Sequence, residues 1–290
     1  MKAAHGQRMF TDHSRDWKSN LYVYPVISRR SQGLSIGINL NPDKACNFDC
    51  IYCQVDRATP SKVQKVDLEI LGLELDHMLS LAVAGTLYDD LHFGSVPAEL
   101  RHLRDIAFSG DGEPTTCPQF LEVVKRTVEL KRKYSLDEAK IVLITDACYL
   151  NKPKVQQALE IMDASDGEIW AKLDAGTEEY YQLVNRPNFP LSHVLDKILQ
   201  TAKLRPIVIQ ALFMQVHDEP PPLAEIDAFC QRLTDITNQG GRIKLVQVYT
   251  IARNPAEQYA NRLTNDQVDT IAQAVRSRTD LSVETYYSPS

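Results

Sequence analysis

The chain has 290 residues, of which 43% are apolar and 24% are charged, and its formal net charge at pH 7 is −6. This composition is ordinary for a globular protein, and the negative charge argues against a broad nucleic-acid-binding surface. No run of about eighteen apolar residues is present, so no membrane span is expected. The opening stretch MKAAHGQRMFTDHSRDW lacks the apolar core of a signal peptide, which predicts a cytoplasmic protein.

Six short runs rich in Ile, Val and Leu alternate with amphipathic stretches along the chain. Each run is apolar on successive residues, which is typical of strands covered on both faces. The stretches that follow them repeat apolar residues every three or four positions and predict six helices, one with Pro118 in its first turn and the last capped by Thr264. The predicted strands are LSIGINL (34–40), DIAFSG (105–110), KIVLITD (140–146), EIWAKLD (168–174), IVIQALFM (207–214) and RIKLVQVYT (242–250).

This alternation predicts a parallel sheet with right-handed crossovers, in which ligands bind at the carboxyl ends of the strands. Six units are too few for a closed barrel of eight strands. The periodicity is equally compatible with a doubly wound open sheet and with a partial barrel. No Gly/Ser linker or tandem repeat interrupts the pattern, so we expect a single domain.

Three of the six cysteines fall within the segment ACNFDCIYCQ, directly after the first predicted strand. In a reducing compartment such a group indicates metal or redox chemistry more often than a disulfide. A structural zinc site normally has four ligands, and the nearest downstream histidine, His77, lies inside a predicted helix. Thiolates from Cys46, Cys50 and Cys53 suit an iron–sulfur cluster that leaves one iron without a protein ligand.

The spacing C-x3-C-x2-C, with Tyr52 before the third cysteine, resembles the cluster-binding signature of the radical S-adenosylmethionine (radical SAM) superfamily. The resemblance implies an α/β fold, a partial (β/α)6 TIM-type barrel with its active site at the C-terminal ends of the parallel strands. It also implies a 4Fe-4S cluster on Cys46, Cys50 and Cys53, whose open iron binds S-adenosylmethionine. Reductive cleavage of that cofactor gives a 5′-deoxyadenosyl radical that takes a hydrogen from the substrate.

Two further segments match positions of the same family. SGDGEPT (109–115) resembles the Gly-Gly-Glu motif that receives the S-adenosylmethionine ammonium, and it favours Glu113 as acceptor although Asp111 separates the glycines. The ends of the fourth and sixth strands match the ribose and adenine positions, with Asp174 first for the ribose unless it caps a helix. The resemblance thus implies cofactor-binding roles for Tyr52, Gly110, Asp111, Gly112, Glu113, Lys172, Asp174, Thr177, Val248, Tyr249, Thr250 and Ile251.

Substrate-binding candidates are residues outside this set. Arg29 and Arg30 precede the first predicted strand, and a guanidinium pair near the mouth could clamp a phosphate or carboxylate unless it lies on a surface arm. The third strand ends in Thr145-Asp146-Ala147, where the family often has Thr-Asn-Gly. The candidates are Arg29, Arg30, Asp146, Gln210, Gln247 and Arg253, and no residue is assigned to catalysis.

We expect one domain over 1–290, with an N-terminal extension (1–32), a barrel core (33–255) and a C-terminal helix and tail (256–290). The expected activity is that of a radical SAM enzyme with a small-molecule or peptide substrate and an electron donor such as flavodoxin or ferredoxin. Wyosine-type tRNA modification is the alternative within the family and ranks second because the chain is acidic. A zinc-stabilised binding protein and an electron-transfer iron–sulfur protein are the alternatives outside it.

Overall fold

The computed structural model describes residues 17–253 and 255–288, so the segment on which the signal-peptide expectation rests lies almost wholly outside the described residues. The described helices are α1 Leu68–Ala84, α2 Phe120–Lys133, α3 Pro153–Asp163, α4 Glu178–Asn185, α5 Leu191–Leu204, α6 Leu223–Asn238 and α7 Asn265–Thr279. No helix in this part of the chain is long and apolar enough to cross a membrane.

The strands form one large sheet and one small one. They are β1 Val23–Ser28, β2 Gly33–Ile38, β3 Leu103–Phe108, β4 Lys140–Thr145, β5 Gly167–Lys172, β6 Ile207–Leu212, β7 Gln215–Val216, β8 Ile243–Tyr249, β9 Ala260–Asn261 and β10 Val283–Tyr286. The large sheet has the order β1-β2-β3-β4-β5-β6-β8-β10, and β7 pairs with β9. The six predicted strands are confirmed, each boundary lying within two residues of its expected place.

The large sheet curls into a partial barrel, as predicted, and its parallel strands are covered on both faces. Its outer face packs against the helices in the main hydrophobic core, to which Ile36, Ile106 and Ile209 belong. Its inner face carries a smaller apolar group below the cavity, formed by Ala107, Val142, Trp170 and Val208. Alternate residues of one strand therefore serve two different cores.

The helices follow the predicted pattern with local differences. Thr264 caps α7 through a reciprocal capping box, in which its side chain accepts from the Gln267 amide. Helix α2 begins at Phe120, so Pro118 precedes the helix rather than standing in its first turn. Helix α4 has only eight residues, too short for its periodicity to separate it from a loop, and the sequence did not predict it.

The sheet also takes one strand from each segment placed outside the core. Strand β1 pairs antiparallel with β2, and Gly37 allows this because an added Cβ would lie 2.3 Å from the Tyr24 ring. Strand β10 extends the other edge parallel to β8. The residues between β1 and β2 form a turn at the amino end of β2, the end opposite the cysteine segment.

Candidate functional site

A cavity of about 320 Å³ opens inside the partial barrel, and the three clustered thiols lie in its wall. It contains most of the predicted site residues, drawn from strand ends that are far apart in sequence. Those in the wall are Arg29, Arg30, Cys46, Cys50, Tyr52, Cys53, Gly110, Asp111, Gly112, Glu113, Asp146, Lys172, Gln210, Tyr249, Thr250, Ile251 and Arg253. Asp174, Thr177, Gln247 and Val248 are not in it.

The cysteine segment has no regular secondary structure and is held by the chain that ends α4. The Asp49 amide donates to the Asn185 carbonyl at 3.0 Å, and the Ile51 amide donates to the Val184 carbonyl at 3.0 Å. The side chain of Asn185 also points at a thiol, with 3.4 Å between its Nδ2 and the Sγ of Cys50. Helix α4, which the sequence did not predict, therefore positions this segment.

Burial raises the pKa of the Cys46 thiol to about 12, with the Asp146 carboxylate as the next cause. Burial likewise raises the pKa of the Cys50 thiol to about 12, followed by the charge of Asp174. Both thiols are therefore neutral near pH 7 in the metal-free protein. A metal or cluster that binds them must displace their protons, as metal binding to cysteine generally does.

The chemistry of the donor set, three thiols in the wall of one chamber, suits an iron–sulfur cluster rather than a single metal ion. Cys46, Cys50 and Cys53 are all partly exposed and free, and they face one chamber. Two of the sulfurs have nitrogen donors nearby, since Arg57 Nη2 lies 3.9 Å from the Cys53 Sγ and Asn185 reaches Cys50. Such donors tune clusters held by thiolates. Within residues 17–253 and 255–288, no group of three His, Cys, Asp or Glu is arranged to hold a metal ion.

The glycine-rich loop after β3 packs directly on the cysteine segment. The Glu113 amide donates to the Ala45 carbonyl at 3.0 Å. A Cβ on Gly112 would lie 1.9 Å from that carbonyl oxygen, and a Cβ on Gly110 would lie 2.3 Å from the Asn39 side-chain oxygen. Both glycines are thus needed for close approach of two backbones rather than for an unusual φ.

Glu113 joins this loop to the end of β4. Its carboxylate accepts from the Thr115 and Thr145 hydroxyls at 2.5 and 2.7 Å and from the Asp146 amide at 2.7 Å. Burial raises the pKa of Glu113 to about 8, with Asp146 as the next cause, against these hydrogen bonds. Asp111, by contrast, is partly exposed, and it accepts from Asn39 Nδ2 at 2.7 Å. Asp111 is therefore the more accessible of the two carboxylates considered for the S-adenosylmethionine ammonium.

Asp174 lies behind the cavity wall and connects three elements. It accepts from the Tyr52 hydroxyl, from Asn185 Nδ2 at 2.9 Å and from the Leu212 amide at 2.9 Å. Lys172 lies 3.4 Å from the same carboxylate and donates to the Tyr249 hydroxyl at 3.1 Å. The structure thus places Asp174 where it orients Tyr52 and Lys172, which do face the cavity.

The other predicted residues outside the wall have partners within the fold. Thr177 caps α4 by accepting from the Tyr180 amide at 3.2 Å, and its hydroxyl donates to Glu225. Val248 faces the main core. Gln247 accepts from Gln210 Nε2 at 2.9 Å.

Asp146 and Ala147 directly follow β4, beside the cysteine segment. Asp146 accepts from Asn47 Nδ2 at 2.8 Å, and burial raises its pKa. Ala147 has a φ of +68°, a left-handed backbone that favours glycine, the residue of the family pattern at this position.

The sequence analysis missed a set of asparagines that hold the site together. Besides Asn39, Asn47 and Asn185, Asn41 donates from Nδ2 to the Thr116 hydroxyl at 2.8 Å. A signal was present, because the segment NLNPDKACN places three of the four directly before or among the cysteines. Its meaning depends on partners more than seventy positions away.

Arg29 and Arg30 lie in the turn between β1 and β2. The turn itself is at the amino end of β2, but the guanidiniums reach Tyr249, the last residue of β8, and the Tyr287 carbonyl directly after β10. Both arginines line the same cavity as the cysteines, and their role toward substrate stays a prediction.

No family model matches the chain. A UPF0026 protein of Helicobacter pylori is 26% identical over 249 residues, which covers 84% of this chain and 70% of the relative. A UPF0026 protein of Methanocaldococcus jannaschii is 30% identical over 182 residues, covering 61% of this chain and 46% of the relative.

Among solved structures, Streptococcus suis SuiB bound to S-adenosylmethionine matches with a TM-score of 0.54 and 11% identity, over 89% of this chain and 49% of SuiB. This likeness concerns the fold. Together with the curled sheet, it defines the chain as a partial α/β barrel protein with a thiol-lined chamber. The fold is the partial barrel that the sequence predicted, and the CNFDCIYC motif, which resembles the cluster-binding signature of the radical SAM superfamily, lies in the wall of its chamber.

Proposed function

We propose that the chain is a cytoplasmic radical SAM enzyme that acts on a small molecule or a peptide and receives electrons from a flavodoxin- or ferredoxin-type donor. The observation that carries this proposal is the packing of the glycine loop onto the cysteine segment at the wall of one chamber. A 4Fe-4S cluster on Cys46, Cys50 and Cys53 would supply the electron that cleaves S-adenosylmethionine and so generates the 5′-deoxyadenosyl radical.

The chain's own residues bind and orient the cofactor in this proposal. Gly110 and Gly112 bring the β3 loop against the cysteine segment, and the ammonium of the methionine part is offered the Asp111 carboxylate and the more deeply buried Glu113. Tyr249 and Ile251, at the end of β8, supply apolar surface for the adenine.

In this proposal the polar groups of the chamber wall are held by partners within the fold. Lys172 is held between the Asp174 carboxylate and the Tyr249 hydroxyl. Its ammonium also lies 5.1 Å from the Tyr52 ring centroid. Fixed polar groups in the wall of a chamber limit side reactions of a reactive species.

The test is anaerobic reconstitution of the wild type and of two cysteine variants. We expect about four iron and four sulfide per wild-type chain, and 5′-deoxyadenosine formed only when reductant and S-adenosylmethionine are both present. Cys50→Ala should lose both. Cys230→Ala, which removes a buried thiol of α6 in the main core, should retain both.

Three results would contradict the proposal. One zinc per chain without sulfide would favour the binding protein. A cluster whose electron paramagnetic resonance signal does not change with S-adenosylmethionine would favour the electron carrier. Undiminished cleavage of S-adenosylmethionine by Cys50→Ala would show that the cysteine cluster is not needed for the reaction.

A further inference from the structure

The two arginines of the β1–β2 turn reach into the cavity from the amino end of β2, and their guanidiniums contact residues at the carboxyl ends of β8 and β10. The Arg29 guanidinium donates to the Tyr287 carbonyl. The guanidinium carbon of Arg30 lies 5.7 Å from the ring centroid of Trp170 and 5.2 Å from that of Tyr249. A carbonyl and two aromatic rings fix the position of these groups without neutralising their charge.

Among the described residues, no carboxylate oxygen lies within 4.0 Å of either guanidinium. Asp105, a carboxyl in the cavity wall, accepts from the Ser35 hydroxyl; burial raises its pKa, and the charge of Arg30 acts in the opposite direction without a direct ion pair. Burial, followed by the charge of Arg30 and against that of Tyr249, lowers the pKa of Arg29 to about 10. Two adjacent cations with no carboxylate partner are therefore held in a partly buried position.

A second group in the same cavity has an unused hydrogen-bonding atom. Gln210 is 1% exposed, and its Nε2 donates to Gln247, but its Oε1 has no hydrogen-bond partner. Gln210 pairs in register with Lys172 on β5 and stands two residues before Leu212, the register partner of Tyr249. A buried acceptor left without a donor destabilises the fold, so a ligand that donates to it would recover that loss.

We propose that the substrate is a small molecule with a carboxylate or phosphate group that binds between the Arg29 and Arg30 guanidiniums, and with an N–H or O–H that donates to Gln210 Oε1. Planar guanidiniums suit the paired oxygens of either anion. Tyr249 contacts both Arg30 and Lys172, and Lys172 in turn contacts the Tyr52 ring, so the anchored substrate extends from the arginines along these residues toward the cysteines. The inference that the bound anion is part of the substrate rests on the proposed function. The inference that the two arginines bind an oxyanion does not.

The test is calorimetric titration of malonate and of inorganic phosphate into the reconstituted full-length chain, with S-adenosylmethionine already bound. We expect saturable binding of at least one anion. The anion that binds more tightly shows whether the site prefers a carboxylate or a phosphate group. The double variant Arg29→Gln/Arg30→Gln should weaken binding roughly a hundredfold, about tenfold for each charge-assisted contact removed. Arg30→Lys keeps the charge but loses the planar guanidinium, so its affinity for the anion should lie between those of the wild type and the double variant.

Arg132→Gln is the matched control, because Arg132 is exposed on α2 and lies outside this cavity. Thermal melting of each variant shows whether it is folded. Formation of 5′-deoxyadenosine in the absence of substrate should be unchanged in all folded arginine variants.

Each outcome separates the two proposals. Anion binding that depends on the arginines, in a protein that never cleaves S-adenosylmethionine, would leave the oxyanion site standing and remove the radical function. Cleavage without anion binding, or equal binding by the double variant and the wild type, would overturn the oxyanion site alone. Loss of S-adenosylmethionine cleavage in the folded double variant would assign the arginines to the cofactor and overturn their role toward substrate.

Discussion

At the scale of single residues, the site depends on glycines, which have no side chain, and on asparagines, whose side chains are uncharged. Gly110 and Gly112 bring two backbones together, and asparagine amides fasten the cysteine segment to its neighbours. Removing a neutral hydrogen bond costs about 1 kcal/mol, whereas a methyl group placed against a carbonyl oxygen forces one backbone to move. The glycines are therefore the more sensitive positions.

Gly112→Ala should lower cluster occupancy strongly, because its Cβ would lie 1.9 Å from the Ala45 carbonyl oxygen, one residue before Cys46. Iron and sulfide content after reconstitution measures this, with circular dichroism to show that the fold persists. Gly72→Ala is the control, since this α1 glycine meets only the flexible Arg126 side chain at 3.2 Å. That variant should be neutral or more stable by about 0.5–1 kcal/mol. Equal cluster content in both variants would contradict the assigned packing.

At the scale of elements, an ion pair group joins three strands below the cavity. Glu168 of β5 accepts from Lys140 of β4 at 2.6 Å, from Lys244 of β8 and from the Trp170 indole at 3.0 Å. Burial alone would raise the pKa of Glu168, but the hydrogen bonds from Lys140, Lys244 and Trp170 outweigh it and lower the pKa. A lowered folded-state pKa means that Glu168 stabilises the protein above its unfolded-state pKa and that this contribution is lost as the pH falls through the folded value.

Glu168→Gln should therefore reduce the free energy of unfolding at neutral pH by about 1 kcal/mol, a value kept small because both lysines are partly solvated. The difference from the wild type should vanish in acid, below the lowered pKa of Glu168. Urea unfolding across this pH range measures it, and Glu160→Gln on the exposed face of α3 serves as control. A stability difference that is independent of pH would show that packing rather than charge is responsible.

At the scale of the whole molecule, regular secondary structure surrounds only part of the cavity. The parallel strands are held by continuous ladders, whereas the long segment between β2 and α1 contains no regular helix or strand. Polar side chains and a few backbone contacts to α4 and the β3 loop hold this segment. Segments with few protected amides open locally at lower free energy than the sheet.

Reconstitution of the cluster and addition of S-adenosylmethionine should slow amide hydrogen exchange in residues 41–66 by about tenfold or more, because ligands that bridge this segment to the β3 loop must leave before it opens. Exchange in α5, on the outer side of the barrel, should change little. Mass spectrometry of peptic fragments resolves the two regions. A uniform change over the chain would indicate global stabilisation instead.

Much of this protein follows from local patterns. Runs of apolar residues indicate six parallel strands, and the spacing of Cys46, Cys50 and Cys53 indicates their chemistry, because strand burial and thiolate ligation are properties of neighbouring residues. The edge strands β1 and β10 and the short helix α4 were not predicted, since short elements are stabilised by distant partners rather than by their own periodicity.

The amino-acid sequence by itself determined the six parallel strands and the position of the thiols, and its resemblance to a known family favoured the partial barrel over an open sheet. Tertiary structure alone decided that Arg29 and Arg30 enter the cavity from the amino end of β2, that Asp174 lies behind the wall, and that Asn185 reaches Cys50. These relations join residues tens to hundreds of positions apart, and they arise because a curled sheet brings its strand ends together around one chamber. No pattern within a short segment encodes that closure.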